Sequence, residues 1–423
     1  MRDVGVSRRT LAKVAVAAGT GALVGGAAAA PSQAATTGWT MTGTAVSALS
    51  SFDSAMKGFM QARGITAGQL AVTYKGRLVH ARGYTNTVSE APAVRPTSLF
   101  RIASLTKSLT AAAILRLVQD GKVSLGTPIT SLLDLTPLAG QTADARLSTV
   151  TLWRLLQHTG GWDRSVSGDP NFKDRTIAQA LGIGLPVAHQ DVIRYMSGQP
   201  LNHAPGTTVA YSNFGYLLAG RVIEALSGLP YIKYVNDTLL DPLGIGRMAP
   251  AWNWVPLPTE VPYFSQYSGI TVLDDSGDTV AAPYGTFNMR IQDANGGWLA
   301  SAVDLVRWAT AFDAAGVVLN STSISRAFAV PETGVNADGW YRGLGWQVRP
   351  VTGGTGRNTW HTGSLPGTYS LLVRTYSGMS WAVVFNQRDD PSGLSYDAID
   401  PLMWTAAQAV TSWPTGDQFP TYF

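Results

Sequence analysis

In this chain of 423 residues the two-residue apolar rhythm of β-strands falls at the two ends, and the helical rhythm fills the middle. Residues 69–74 and 78–84 flank Lys75-Gly76-Arg77, a Gly-containing turn, and read as a hairpin. Far downstream, residues 344–348, 358–362, 370–375 and 381–386 read as an antiparallel meander. Strands need partners, so the economical solution is one antiparallel sheet assembled from both ends of the chain. The helical segments 46–63 and 396–410 would cover one of its faces, and a helical lobe is inserted between the two halves. The predicted class is α+β, with residues 35–100 and 285–423 in a sheet lobe, residues 101–284 in a helical lobe, and a cleft at the seam. Residues 35–44 read as a linker, and the Pro-, Tyr- and Trp-rich residues 250–282 as loops over one side of the cleft.

Residues 1–34 stand apart. Ser7-Arg8-Arg9-Thr10-Leu11-Ala12-Lys13, a mildly apolar run from 14 to 30 and the small-residue site Ser32-Gln33-Ala34 predict a twin-arginine signal peptide. Cleavage would leave Ala35 first, a secreted or extracytoplasmic protein and no stable membrane anchor. Four of the 31 basic residues and one of the 27 acidic ones fall in this segment, leaving 27 against 26 in the mature chain. That near-neutral balance removes the electrostatic case for a nucleic-acid partner. Cysteine is absent, which excludes disulfides, thiolate metal sites and a cysteine nucleophile.

The chemistry is carried by Ser104-Leu-Thr-Lys107, at the start of a helix that runs to Asp120-Gly121 with one apolar stripe. A serine hydroxyl is a poor nucleophile until a base takes its proton. A lysine one turn on can do this if a dry pocket keeps it neutral. The helix start also aims amide N–H groups at an oxyanion forming beside Ser104. The same letters recur in Ser54-Ala-Met-Lys57, but inside a helix that precedes any strand able to frame a site, so that copy reads as surface.

Tyr211-Ser-Asn213 sits in a loop that leads directly into a helix, and His361-Thr362-Gly363 ends a strand of the meander. The tyrosine can exchange protons with a neutral lysine and a serine, and the asparagine can hold a substrate amide. The small residues Thr362 and Gly363 let a substrate lie along the strand edge, where the Ser364 amide can serve as a second oxyanion donor. Look-alikes occur here too. Tyr84-Thr-Asn86 ends a strand, Tyr234-Val-Asn236 lies within a helix, and His158-Thr-Gly160 closes a helix; each reads as structural.

Taken in order, Ser104-Leu-Thr-Lys107, Tyr211-Ser-Asn213 and His361-Thr-Gly363 resemble the three motifs of the penicillin-recognising serine hydrolases. The closest branch holds class C β-lactamases, serine D-Ala-D-Ala carboxypeptidases, D-aminopeptidases and β-lactamase-like esterases. The resemblance spans essentially all of residues 35–423 and includes Leu155-Leu-Gln-His-Thr-Gly-Gly161, Pro205-Gly-Thr, Glu224-Ala-Leu-Ser-Gly228, Pro242-Leu-Gly244, Gly296-Gly297 and Gly343-Leu-Gly-Trp346. It implies a β-lactamase/transpeptidase-like fold, with Ser104 as acylated nucleophile, Lys107 as its base and Tyr211 as proton relay. It further implies that Asn213 holds the substrate amide and that the Ser104 and Ser364 amides form the oxyanion hole. Class C enzymes usually carry lysine where this chain has His361, which turns the expectation toward carboxypeptidases and D-amino-acid peptidases. The implied substrate is a small peptide, amide or ester, cell-wall peptide included. An esterase is the alternative, with a β-lactamase and a non-catalytic cell-wall sensor behind it.

Other plans lack their residues. There is no Gly-x-Ser-x-Gly elbow, no His-x-x-x-His pair among the five histidines, and no Gly-rich phosphate or dinucleotide loop. The expected active centre therefore needs neither a metal nor a cofactor.

Overall fold

The computed structural model describes residues 38–86 and 92–423, so the predicted signal peptide lies outside the described residues. Eight strands form one antiparallel sheet: β1 (Trp39–Thr42), β2 (Ala67–Tyr74), β3 (Arg77–Asn86), β4 (Tyr341–Arg342), β5 (Gln347–Pro350), β6 (Arg357–Leu365), β7 (Thr368–Arg374) and β8 (Met379–Phe385). Their spatial order is β1-β3-β2-β8-β7-β6-β5-β4. The two ends of the chain meet at its centre, where β2 pairs with β8 in a register that sets Val72 opposite Trp381. The β2–β3 turn is tighter than expected. Tyr74 pairs with Arg77, leaving only Lys75 and Gly76 in the turn, both at positive φ (49° and 77°). That is the backbone a two-residue hairpin needs to match the strand twist.

β2 and β8 are buried almost end to end because both faces of the sheet are covered. On one face lie α1 (Ser50–Ala62) and, after an intervening lobe, a C-terminal helix at Ile399–Gln408. Helix α1 presents Phe52, Met56, Phe59 and Met60, at helical spacing, to a core that includes Leu70, Val72, Val383 and Met403. Phe59 stacks on Phe385 at 5.1 Å. The other face receives the helix Ala302–Ala309, opened by a capping box in which Ser301 Oγ accepts from the Asp304 amide and Asp304 Oδ2 accepts from the Ser301 amide.

Helix α2 (Thr106–Gln119) departs from its expected single stripe. Every residue from Thr106 to Leu115 is buried, as is Leu117, because the helix is wrapped by α3 (Asn213–Ser227) and the helices Tyr231–Val235 and Ser321–Ala327. Two other expectations are corrected. Residues 39–42 of the expected linker form edge strand β1 on β3, and residues 250–282 contain a short hairpin, Ser268–Ile270 with Thr279–Ala281. A small second sheet of Phe100–Arg101, Trp298–Ala300 and Ala249–Pro250 leads the chain to Ser104. The whole is the α+β arrangement expected, an antiparallel sheet flanked by terminal helices with a helical lobe beside it.

Candidate active site

From the strand Phe100–Arg101 the chain enters a tight turn, Ala103–Leu105, before α2 begins. Ala103 has φ 47°, a left-handed conformation that costs a side-chain-bearing residue roughly 1–2 kcal/mol. Strand β6 crosses this turn at Gly363. A β-carbon there would sit 2.2 Å from the Ile102 carbonyl oxygen and 3.1 Å from the Ser104 amide nitrogen. Only glycine lets the strand come so close. The amide of Ser364, the next residue, is thereby carried to the neighbourhood of Ser104.

Lys107 follows Ser104 by one turn and is fully buried. Its Nζ lies 3.1 Å from Ser104 Oγ, 2.7 Å from Asn213 Oδ1 and 2.6 Å from the Asn295 carbonyl oxygen. Burial holds its pKa well below the usual lysine range, and the nearby Asp169 carboxylate only partly opposes this. A neutral amine has two N–H donors, which Asn213 and Asn295 can accept, and one lone pair, which is then left for the Ser104 hydroxyl.

Tyr211 O–H donates to the same Ser104 Oγ at 2.7 Å. Burial pushes its phenol up to about 12, against the opposing pull of Arg342 and Arg164, whose guanidinium carbons lie 5.0 Å and 4.5 Å from the ring centroid. The ring also stacks on His158 at 4.4 Å. His158 has φ 61° and accepts the Ser212 amide on Nδ1 at 3.1 Å, so its ring proton sits on Nε2. His158 does close its helix, as read from the sequence, and it also shapes the loop that presents Tyr211. Ser212 then caps α3 by accepting the Gly215 amide on Oγ. That cap fixes Asn213 in the first turn.

Asn213 bridges Lys107 and Asp169, accepting from the lysine amine on Oδ1 and donating through Nδ2 to Asp169 Oδ2 at 2.6 Å. His361 is buried 6.4 Å from the Tyr211 ring, and its Nδ1 lies 2.6 Å from the Thr362 carbonyl. Burial, then Lys107 and Arg342, lower its pKa to about 3, so the imidazole is neutral. Thr362 is partly exposed, and Ser364 is exposed at the mouth of the site with Oγ 3.4 Å from Arg388 Nη1. A cavity of about 420 Å3 opens onto Ser104, and its walls include Asp169, Phe172, Asn213, Ser364 and Arg388.

The structure thus gathers Ser104, Lys107, Tyr211, Asn213 and the 361–364 strand, and leaves Ser54 and Lys57 on α1, against the other face of the sheet. The sequence reading did not find Asp169, Asn295, Arg164 or Arg342. Two signals lie close by in the sequence: residues 162–175 form a polar, Asp-containing stretch between helical segments, and Asn295 immediately precedes Gly296-Gly297. Among the described residues no cluster of His, Cys, Asp and Glu could hold a metal ion, and no helix is long and apolar enough to cross a membrane.

A family model described as Beta-lactamase matches residues 52–400. Protein flp of Staphylococcus aureus (strain MRSA252) is 26% identical over 185 residues, 44% of this chain and 34% of that protein. The chain therefore matches about a third of the length of this curated relative. The octameric penicillin-binding protein homologue from Pyrococcus abyssi superposes with a TM-score of 0.64 at 23% identity, covering 87% of this chain and 78% of that one. The D-amino acid amidase from Ochrobactrum anthropi SV3, in complex with D-phenylalanine, gives 0.62 at 21% identity, covering 85% and 99%.

Proposed function

This chain belongs to the beta-lactamase family of serine hydrolases, and we propose that it works through an acyl-enzyme on Ser104, cleaving amide or peptide bonds that follow a D-amino acid. The observation that carries the reading is the placement of one serine oxygen between a buried lysine amine at 3.1 Å and a tyrosine hydroxyl at 2.7 Å. Ser104 Oγ would attack the substrate carbonyl while its proton passes to Lys107 Nζ. The oxyanion would be held by the Ser104 and Ser364 amides. The proton would then leave through Tyr211 to the departing amine, with Lys107 resupplying it, and water would repeat the attack to release the acid.

The neutral, enclosed His361 gives a substrate carboxylate little charge to bind, which favours amidase chemistry over efficient β-lactam turnover. The D-preference rests on the fold shared with the Ochrobactrum anthropi amidase. We propose, too, that residues 1–34 direct export by the twin-arginine route. The mass of the protein recovered outside the cytoplasm would then start at Ala35, and retention in the cytoplasm would count against export.

The test of function is intact mass, quenched during turnover of a D-aminoacyl p-nitroanilide. Wild type should carry the aminoacyl mass and Ser104→Ala should not. Ser104-dependent turnover of short-chain esters with no turnover of D-aminoacyl amides would move the assignment to an esterase.

A further inference from the structure

We propose that Asp169 selects substrates whose D-amino acid carries a free α-ammonium group, making this chain an amidase or aminopeptidase of unblocked D-amino acids rather than a carboxypeptidase of N-acylated peptides. The inference deepens, and rests on, the Ser104 hydrolase reading. Asp169 shares the cavity with Ser104, and its side chain is 12% exposed. Each of its oxygens has one donor: Oδ1 takes the Asn171 amide at 3.2 Å and Oδ2 takes Asn213 Nδ2 at 2.6 Å. A carboxylate has about four acceptor sites, so two remain for a ligand. The nearest guanidinium, Arg164, stands 3.9 Å away with half of its side chain in solvent, too loose to use up the charge.

Charge gives the second argument. Asn213 has one partner at each end, Lys107 on Oδ1 and Asp169 through Nδ2, so its remaining N–H and lone pair can meet an N-acyl amide only at neutral strength. A cation asks only for acceptors, and a carboxylate in a partly enclosed cavity meets an ammonium in a charge-assisted hydrogen bond of about twice the neutral strength.

Pairing would also act on the base. Asp169 is the main charge that favours protonated Lys107. A substrate ammonium seated on Asp169 cancels that influence and shifts Lys107 further toward the neutral amine that accepts the Ser104 proton. An unblocked substrate therefore gains in kcat as well as in KM.

The experiment compares D-phenylalanine p-nitroanilide, its N-acetyl derivative and the analogue with hydroxyl in place of the amine. Wild type should prefer the free amine in kcat/KM by on the order of a hundredfold over both others. Asp169→Asn should shrink that preference to less than about tenfold, mainly by losing the amine substrate. Equal or better turnover of the acetylated compound would overturn the assignment while leaving the Ser104 reading intact. A variant that slows all three compounds alike would overturn it too. Absence of Ser104-dependent turnover with every compound would sink both readings. The substrate series needs wild type alone, so it decides even if Asp169→Asn fails to fold.

Discussion

At the scale of single residues, the site depends on keeping a lysine uncharged, and this sets its pH behaviour. Lys107 has a lowered pKa, so its base form is lost only as pH falls through that lowered value. The acid limb of kcat/KM should therefore belong to Lys107. Lys107→Arg, which cannot shed its proton, should cost on the order of 10^3-fold or more. His361, already neutral down to about 3, should not contribute, so the limb should keep its position in His361→Gln. A limb that moves with His361 would contradict this assignment. Asp174 gives a prediction of opposite kind. It is buried, and burial, only partly opposed by its own backbone amide and Asn288, raises its pKa to about 7. The folded protein then holds a proton that the unfolded chain gives up above about 4. Stability should fall between those values, by roughly 4 kcal/mol in total. Asp174→Asn should raise Tm at pH 8 and lose that advantage toward pH 4, as melts across the range would show. Ser104, Lys107 and Tyr211 were legible because each opens or leads into a helix with a recognisable start. Asp169, Asn295 and Arg342 were not, because their positions follow from tertiary contacts with segments far away in the chain.

At the scale of elements, the strand crossing at Gly363 joins the sheet to the Ser104 turn. Gly363→Ala would place a methyl 2.2 Å from the Ile102 carbonyl oxygen, so β6 or the turn must yield. The expected result is a loss of about 1–3 kcal/mol in stability. Activity should fall further than that, on the order of 10^2-fold, because sub-ångström placement matters there. Denaturant melts and kcat/KM would separate the two effects. Strand legibility followed length. The longer strands β2, β3, β6, β7 and β8 showed themselves by pattern, and the four-residue β5 only with its bounds displaced, read as 344–348 and found at Gln347–Pro350; β1, with four residues, and β4, with two, went unread. Helix α2 misled in its burial because Ala, Thr and Ser positions read as polar or neutral, yet small side chains allow close packing on every side.

For the whole molecule, α1 and the helix Ile399–Gln408 cover one face of one sheet, so neither helix is dispensable. Removing residues 396–423 would strip that face of Tyr396, Ile399, Met403 and Trp404 and bare Phe59, Trp381 and Phe385. The truncated chain is expected to aggregate or to melt without a cooperative transition. A melt near that of the full chain would show that this cover is unnecessary.

The central β2–β8 pairing also sets a schedule. Strand β8 leaves the ribosome about 300 residues after β2. At the usual 5–20 residues per second, the first hairpin waits roughly 15–60 seconds with one edge unpaired. An open strand edge of Leu70, Ala71 and Val72 can pair with another chain as readily as with its own missing partner. The yield of this protein should therefore depend on how fast the roughly 300 intervening codons are read and on what shields the hairpin meanwhile.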